Sequence, residues 1–172
     1  MITASELERT IRALLDQKRS PLAAHTPGIV RAGLRWGVHP YLLVAIAWAE
    51  TRAATDPNAG KDITERHNAW GYGPHRAFPT WEAALEAIGR DLRRNYLNRG
   101  LLTIPRIRDR WAPLGAANDP HGLNPGWALN VRTVIGWLGG DPDSPVGPAR
   151  VPWQTKTWLP RRYPWLPKRR PR

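Results

Sequence analysis

Hydrophobic residues recur at helical spacing through most of the first 139 positions, and this pattern predicts a mainly α fold. Thr3 and Glu6 have the spacing of a capping box, so the first helix is expected to begin at about Ala4 and to end near Lys18. Further helices are expected at 26–37, from Pro40 through Glu50, and at 80–100, 103–111 and 124–138. No helical period is visible at 54–79, where a loop or a short β-hairpin is expected.

The most hydrophobic of these segments ends in an acidic residue. Pro40 suits the first turn of a helix, nine apolar or aromatic residues follow from Tyr41 to Ala49, and Glu50 comes next. At 3.6 residues per turn, Glu50 falls on the same stripe as Leu43 and Ile46. Because desolvation disfavours the charged form, we predict a raised pKa for Glu50 and a proton retained near neutral pH, as a general acid requires. A buried ion pair with an arginine is the structural alternative.

Ideal helix geometry makes two further positional predictions. The apolar stripe from Trp81 to Tyr96 defines the inner side of the helix at 80–100, and Arg93 falls on the outward side. Asn124 precedes the apolar stripe of the last helix and is expected to be its N-cap.

The composition indicates an anionic partner. The 172-residue chain has 26 Lys or Arg against 14 Asp or Glu, a formal net charge of +12, which suits nucleic acid, acidic lipid or a bacterial cell wall. Cysteine is absent, which excludes disulfides and thiol catalysis. The five histidines show no His-x-x-x-His spacing, so a metal site is not predicted. No cofactor is predicted either.

The C-terminal segment differs from the rest of the chain. Its 33 residues include eight prolines, eight Lys or Arg and three tryptophans, and such a segment cannot build a core. We therefore predict a helical domain at 1–139 and an extended Pro/Arg/Trp-rich tail at 140–172. The tail is either solvated or a targeting or assembly segment.

The chain offers no sequence signal for export or membrane insertion. The longest apolar run has nine residues, against the roughly 20 needed to cross a bilayer. Residues 1–12 lack the apolar core of a secretory signal. We therefore expect a protein that is made in the cytoplasm and has no transmembrane segment.

A series of short motifs follows the Glu50 helix. They are His67-Asn68-Ala69-Trp70-Gly71-Tyr72-Gly73, Phe78-Pro79-Thr80-Trp81, Asn95-Tyr96-Leu97, Trp111-Ala112-Pro113, and Asn118-Asp119 with Asn124 and Trp127. In this order, residues 21–139 resemble the glucosaminidase-type peptidoglycan hydrolases of the lysozyme-like superfamily, which include cell-wall autolysins and phage lysins. The resemblance implies a lysozyme-like helical domain in which the glutamate that ends a central buried helix, here Glu50, protonates the glycosidic oxygen.

The resemblance also implies which side chains contact the glycan. They are Asn68, Trp70, Tyr72, Tyr96, Asn118 and Asp119. The segment around Trp70 and Tyr72 would form one wall of the sugar cleft, with both rings against pyranose faces and its glycines allowing a close backbone approach. The alternative for Trp70 is a hydrophobic plug beneath the loop. The alternative for Tyr96 is a position in the core. Trp111 stands where the family pattern has a tyrosine.

A second carboxylate is not fixed by the sequence. Glycosidases commonly use two, roughly 5 to 9 Å apart. We place Glu65 or Asp62 ahead of Asp119 as the second acid, but their spacing does not choose between them. Three mechanisms stay open: inversion with a distant base, retention assisted by the N-acetyl group of the substrate, and a lytic transglycosylase reaction in which one Glu serves as acid and then as base.

The leading hypothesis is an enzyme that cleaves β-1,4 glycosidic bonds of peptidoglycan, as a glucosaminidase, muramidase or lytic transglycosylase. We expect it to bind glycan strands and the anionic wall surface. A phage endolysin, acting on the wall after lysis, or a tail-associated lysin fits best, with other virion proteins as partners of the tail. Two alternatives stay open: an inactive lysozyme-like structural protein of a virion, and a nucleic-acid- or assembly-binding protein that acts through the basic tail.

Overall fold

The computed structural model describes residues 2–59, 62–73, 76–117, 119 and 122–148. Within these residues the protein is mainly helical and contains no strand, so the prediction of a mainly α fold is confirmed. The described residues form seven α-helices: α1 (Ala4–Gln17), α2 (Thr26–Trp36), α3 (Pro40–Thr51), α4 (Asp62–Glu65), α5 (Trp81–Asp91), α6 (Ile104–Trp111) and α7 (Asn124–Trp137). A 3-10 turn at Pro21–His25 joins α1 to α2, and the lobe between α3 and α5 is a loop with a four-residue helix.

Local signals in the sequence define several helix ends. Thr3 and Glu6 form the predicted capping box at the start of α1. Gly37 ends α2 in the left-handed conformation, with φ of 59°, which glycine adopts without a steric penalty. None of the helices in the described part of the chain combines the length and the apolar character that a bilayer span requires.

Helix α3 is the centre of the fold. Its residues from Pro40 to Ala47 are all buried, and it packs against α2 on one side and α7 on another. The helix ends one residue after Glu50, because Arg52, Ala53 and Ala54 all have positive φ. A left-handed conformation costs a non-glycine residue roughly 1–2 kcal/mol, so packing elsewhere has to hold this turn. Glu50 is thereby placed where a buried helix meets the surface.

A π-helical turn at Leu92–Tyr96 follows α5 directly. Because a π turn closes its hydrogen bonds over five residues, the side chains after it no longer follow the ideal α period. The outward position predicted for Arg93 is therefore wrong, since Arg93 is only 2% exposed. The same turn leaves Leu92 in the core, as predicted, and Tyr96 as well, which is the alternative to its predicted contact with glycan.

The buried Arg93 joins the end of the described chain to the helices. Its guanidinium donates to the carbonyl oxygens of Trp36 and Pro148, both at 2.7 Å, and to that of Gly37. Burial lowers the pKa of Arg93 to about 10. Residues 140–148, the start of the segment predicted as a tail, thus lie against the helical body, whereas 149–172 fall outside the described residues.

Candidate active site

Two tryptophan side chains hold one oxygen of the Glu50 carboxyl group. The indole Nε1 of Trp111, the last residue of α6, donates to Glu50 Oε1 at 2.8 Å. The indole Nε1 of Trp127, in the first turn of α7, donates to the same oxygen, also at 2.8 Å. Three helices therefore meet at this carboxyl group, and its orientation is fixed from two sides.

The other oxygen faces the backbone of Gly71. A Cβ atom on Gly71 would lie 2.8 Å from Glu50 Oε2, a distance that real Cβ contacts do not show, and Gly71 has φ of 58°. The preceding residues are tied to α3, because Thr51 Oγ1 donates to Ala69 O at 2.8 Å and Trp70 Nε1 donates to Leu43 O at 2.9 Å. Glycine is therefore required here for close approach to the carboxyl group as well as for its φ angle.

The surroundings of Glu50 act on its proton affinity in opposite directions. Burial raises the pKa of Glu50, while the hydrogen bonds from Trp111 and Trp127 lower it. The net shift is upward, in the predicted direction. In the described part of the chain no arginine or lysine forms an ion pair with Glu50, which contradicts the alternative of a buried ion pair. Glu50 as a whole residue is half-buried, and its carboxyl group is largely desolvated.

Among the described residues, the two indoles that bind Glu50 belong to a group of four aromatic rings, which we call the aromatic cluster: Tyr72, Tyr96, Trp111 and Trp127. Trp111 is its centre, with ring centroids 6.5 Å from Tyr72, 5.8 Å from Tyr96 and 6.4 Å from Trp127. Tyr72 and Trp111 are half-buried, whereas Tyr96 and Trp127 are buried. The ring surface that a ligand could touch therefore belongs to Tyr72 and Trp111.

Asp91 is a carboxylate of the site that the sequence did not indicate. It is half-buried at the end of α5, and Asn95 Nδ2 donates to its Oδ1 at 2.5 Å. Burial raises the pKa of both Tyr72 and Tyr96, and the negative charge of Asp91 raises both further, that of Tyr96 to about 12. Both hydroxyl groups consequently keep their protons and can donate hydrogen bonds.

Two predicted glycan contacts are corrected by the structure. Trp70 is 0% exposed and its indole nitrogen is bonded to α3, so the predicted stacking on sugar is wrong and the alternative of a hydrophobic plug holds. Asn68 is buried, and its amide Nδ2 donates to the carbonyl oxygens of Tyr72 and Arg76 at 3.2 and 3.0 Å. Both of its N–H donors are thus used to shape the 72–76 loop, and neither is left for a sugar hydroxyl.

The loop before α7 has a structural function. Backbone N–H groups of Leu123 and Asn124 donate to the two carboxylate oxygens of Asp119, at 2.7 and 2.9 Å. Asp119 therefore places a negative charge at the N-terminus of the helix that carries Trp127. The prediction that Asn124 caps this helix is wrong, because its side chain donates instead to Pro113 O at 2.8 Å. Asn118 lies outside the described residues.

The acids preferred as second carboxylate are not in contact with Glu50. Asp62 forms an ion pair with Arg66 one turn further along, and Glu65 is exposed. Both belong to the short helix α4 and have no hydrogen bond to the aromatic cluster among the described residues. The structure gives neither one a link to the Glu50 site.

Comparison with known proteins gives no independent assignment. No protein-family model matches the chain, and its sequence has no significant match among curated proteins. The geometry around Glu50 is therefore the basis for proposing a function.

Proposed function

We propose that this protein is a glycosidase that cleaves the β-1,4 glycosidic bonds of peptidoglycan, with Glu50 as the proton donor. The observation that carries this proposal is a half-buried glutamate at the end of a buried helix, with two indole donors on its Oε1 and the backbone of a glycine facing its Oε2. A group held in this way is oriented and desolvated before substrate arrives, which is what a general acid needs.

The hydrogen bonds also indicate which oxygen carries the proton. Oε1 accepts from both Trp111 and Trp127, and an oxygen that accepts two hydrogen bonds is disfavoured as the O–H of a carboxylic acid. The transferable proton therefore resides on Oε2, beside Gly71. As the glycosidic C–O bond breaks, this proton moves to the leaving oxygen, and the two indole N–H groups stabilise the negative charge that develops on the carboxylate.

Ring surface for the sugar is available beside the acid. Tyr72 and Trp111 are half-buried members of the aromatic cluster, and aromatic faces suit the C–H groups of pyranose rings. In this proposal Trp111 has two functions, as a donor to Glu50 and as a platform for the glycan.

A wall-clearing assay tests the assignment. Wild type, Glu50→Gln and Glu8→Gln are compared in a zymogram that contains purified cell walls. Glu8 is a glutamate on α1 and serves as the matched control. We expect clearing by wild type and Glu8→Gln and none by Glu50→Gln. Equal clearing by all three proteins would exclude Glu50 as the acid, and no clearing by wild type would favour an inactive structural domain.

Product analysis separates the three mechanisms. A transglycosylase leaves a 1,6-anhydro sugar, whereas hydrolysis leaves a reducing end whose anomer identifies inversion or retention. Asp91 acts on both tyrosines of the aromatic cluster, and we propose it as the second carboxylate of a hydrolytic mechanism. If the products show addition of water, Asp91→Asn should reduce turnover more than Asp62→Asn or Glu65→Gln does.

A further inference from the structure

Two arginine side chains lie on the tyrosines of the aromatic cluster. The guanidinium carbon of Arg76 is 5.0 Å from the ring centroid of Tyr72 and 5.1 Å from that of Phe78. The guanidinium carbon of Arg110 is 5.5 Å from the ring centroid of Tyr96. Both tyrosines also pack against Trp111, the indole that donates to Glu50, so the two arginines lie at the aromatic cluster.

Neither arginine is neutralised by the described part of the protein. Arg76 and Arg110 are both exposed, and no described acidic side chain lies within ion-pair distance of either. Arg90 acts on Tyr72 as a third positive charge, and among the described residues Asp91 is the one acidic side chain that acts on the two tyrosines. Three positive charges against one negative leave this side of the site net positive.

Each guanidinium keeps N–H donors for a further partner. Arg110 hydrogen-bonds to the Tyr96 hydroxyl group, and a guanidinium has five N–H donors, so others remain for an anion. The planar fork of N–H donors matches the two oxygens of a carboxylate. A neutral glycan has no carboxylate that could pair with an arginine.

We infer that Arg76 and Arg110 bind carboxylate groups of the glycan next to the bond that is cleaved, so that the enzyme prefers carboxylated β-1,4 glycans over neutral ones. This inference rests on the proposed glycosidase function and adds a substrate class to it. In peptidoglycan the carboxylate has two possible sources, the lactyl group of muramic acid and the attached peptide. The chemistry of recognition is the same for both.

The experiment compares three substrates and four full-length proteins. The substrates are chitohexaose, which is neutral, glycan strands stripped of peptide by an amidase, which expose lactyl carboxylates, and peptide-bearing strands. The proteins are wild type, Arg76→Gln, Arg110→Gln with Arg76→Gln, and Arg12→Gln. Arg12 is an exposed arginine on α1 and is the matched control. Cleavage is followed by chromatography with mass detection, which records hydrolytic and anhydro products alike.

We expect the double variant to lose about tenfold in kcat/KM on carboxylated strands, since one exposed ion pair is worth a few-fold and two combine. Its kcat/KM on chitohexaose should stay within about twofold of wild type, and added salt should reduce the difference between the proteins. Loss confined to stripped strands identifies the lactyl group as the ligand, and loss confined to peptide-bearing strands identifies the peptide. Equal losses on neutral and carboxylated substrates, or no loss, would overturn the inference.

Binding measurements keep this result separate from the proposed function. If wild type cleaves none of the three substrates, the glycosidase proposal fails. Titration calorimetry with the same substrates then decides the role of the arginines. An affinity for carboxylated strands that falls about tenfold in the double variant supports it, and equal affinities in wild type and variant overturn it.

Discussion

The backbone of Gly71 faces the carboxyl group of Glu50 and leaves no room between them for a side chain. A methyl group on Gly71 would place its carbon 2.8 Å from Glu50 Oε2, the oxygen to which we assign the transferable proton. Gly71, which follows the buried Trp70, thus limits the space around this oxygen of Glu50. Its effect on activity can be separated from its effect on stability.

Gly71→Ala should reduce activity far more than its effect on folding would suggest. Both Gly71 and Gly100 have positive φ, 58° and 79°, but a Cβ on Gly100 would meet no atom within 4 Å. Each alanine should therefore cost roughly 1–2 kcal/mol in the free energy of unfolding, measured in urea. We expect kcat/KM to fall at least about tenfold in Gly71→Ala alone, through displacement of the carboxyl group. Full activity in Gly71→Ala would contradict this.

Removing either indole donor should move the pH dependence of the reaction. The hydrogen bonds from Trp111 and Trp127 lower the pKa of Glu50, so Trp111→Phe or Trp127→Phe should raise it. The alkaline limb of the kcat/KM profile, where the acid loses its proton, should then shift to higher pH. Trp48→Phe is the matched control, because Trp48 lies on α3 and packs edge-on against Trp137 instead. An alkaline limb that stays at the wild-type pH in both variants would show that the indoles do not act on the titrating group.

Stability should depend on pH through the same carboxyl group. Burial raises the folded-state pKa of Glu50 above its ordinary value of 4.5. The stabilisation from Glu50 is therefore fully present below pH 4.5 and is lost as pH rises through the folded-state pKa. Glutamine does not titrate, so the unfolding free energy of wild type minus that of Glu50→Gln should fall over this window and then level off. Urea titrations between pH 4 and pH 8 measure this difference, and a constant difference would refute the raised pKa.

Asp119→Ala should weaken α7 without affecting the reaction centre directly. Both oxygens of Asp119 accept backbone N–H groups at the start of this helix, and loss of such a cap costs about 1–2 kcal/mol. Asp109→Ala is the control, because Asp109 is exposed and its surface pair with Arg108 should contribute less than about 1 kcal/mol. Thermal unfolding measures both variants. A raised KM with unchanged stability in Asp119→Ala would instead restore the glycan contact predicted from the sequence.

Local sequence signals predicted much of this fold. The capping box of Thr3 and Glu6, the glycine at 37 and the apolar run before Glu50 all act within one or two helical turns. Such signals depend on neighbours along the chain and can therefore be read from a single sequence. The position of Glu50 at the end of a buried helix followed from them, and so did the upward direction of its pKa shift.

The partners of Glu50 could not be predicted in the same way. Trp111 and Trp127 are 61 and 77 residues away from it along the chain, and nothing in their local sequence marks an indole that will donate to a carboxylate. Trp70 showed the opposite problem, because an aromatic residue beside glycines reads equally well as a glycan platform or as core. Only its contact with α3 decides between these two possibilities.

The π-helical turn at Leu92–Tyr96 makes this site depend on the exact number of residues in that turn. Each residue of an α-helix turns the chain by about 100°, and a π turn spreads one extra residue over nearly the same rotation. Arg93 can therefore reach the three carbonyl oxygens that it binds while Tyr96 packs on Trp111. Removing the extra residue would leave the helix after the turn in nearly the same orientation but would displace one of these two side chains from its partners.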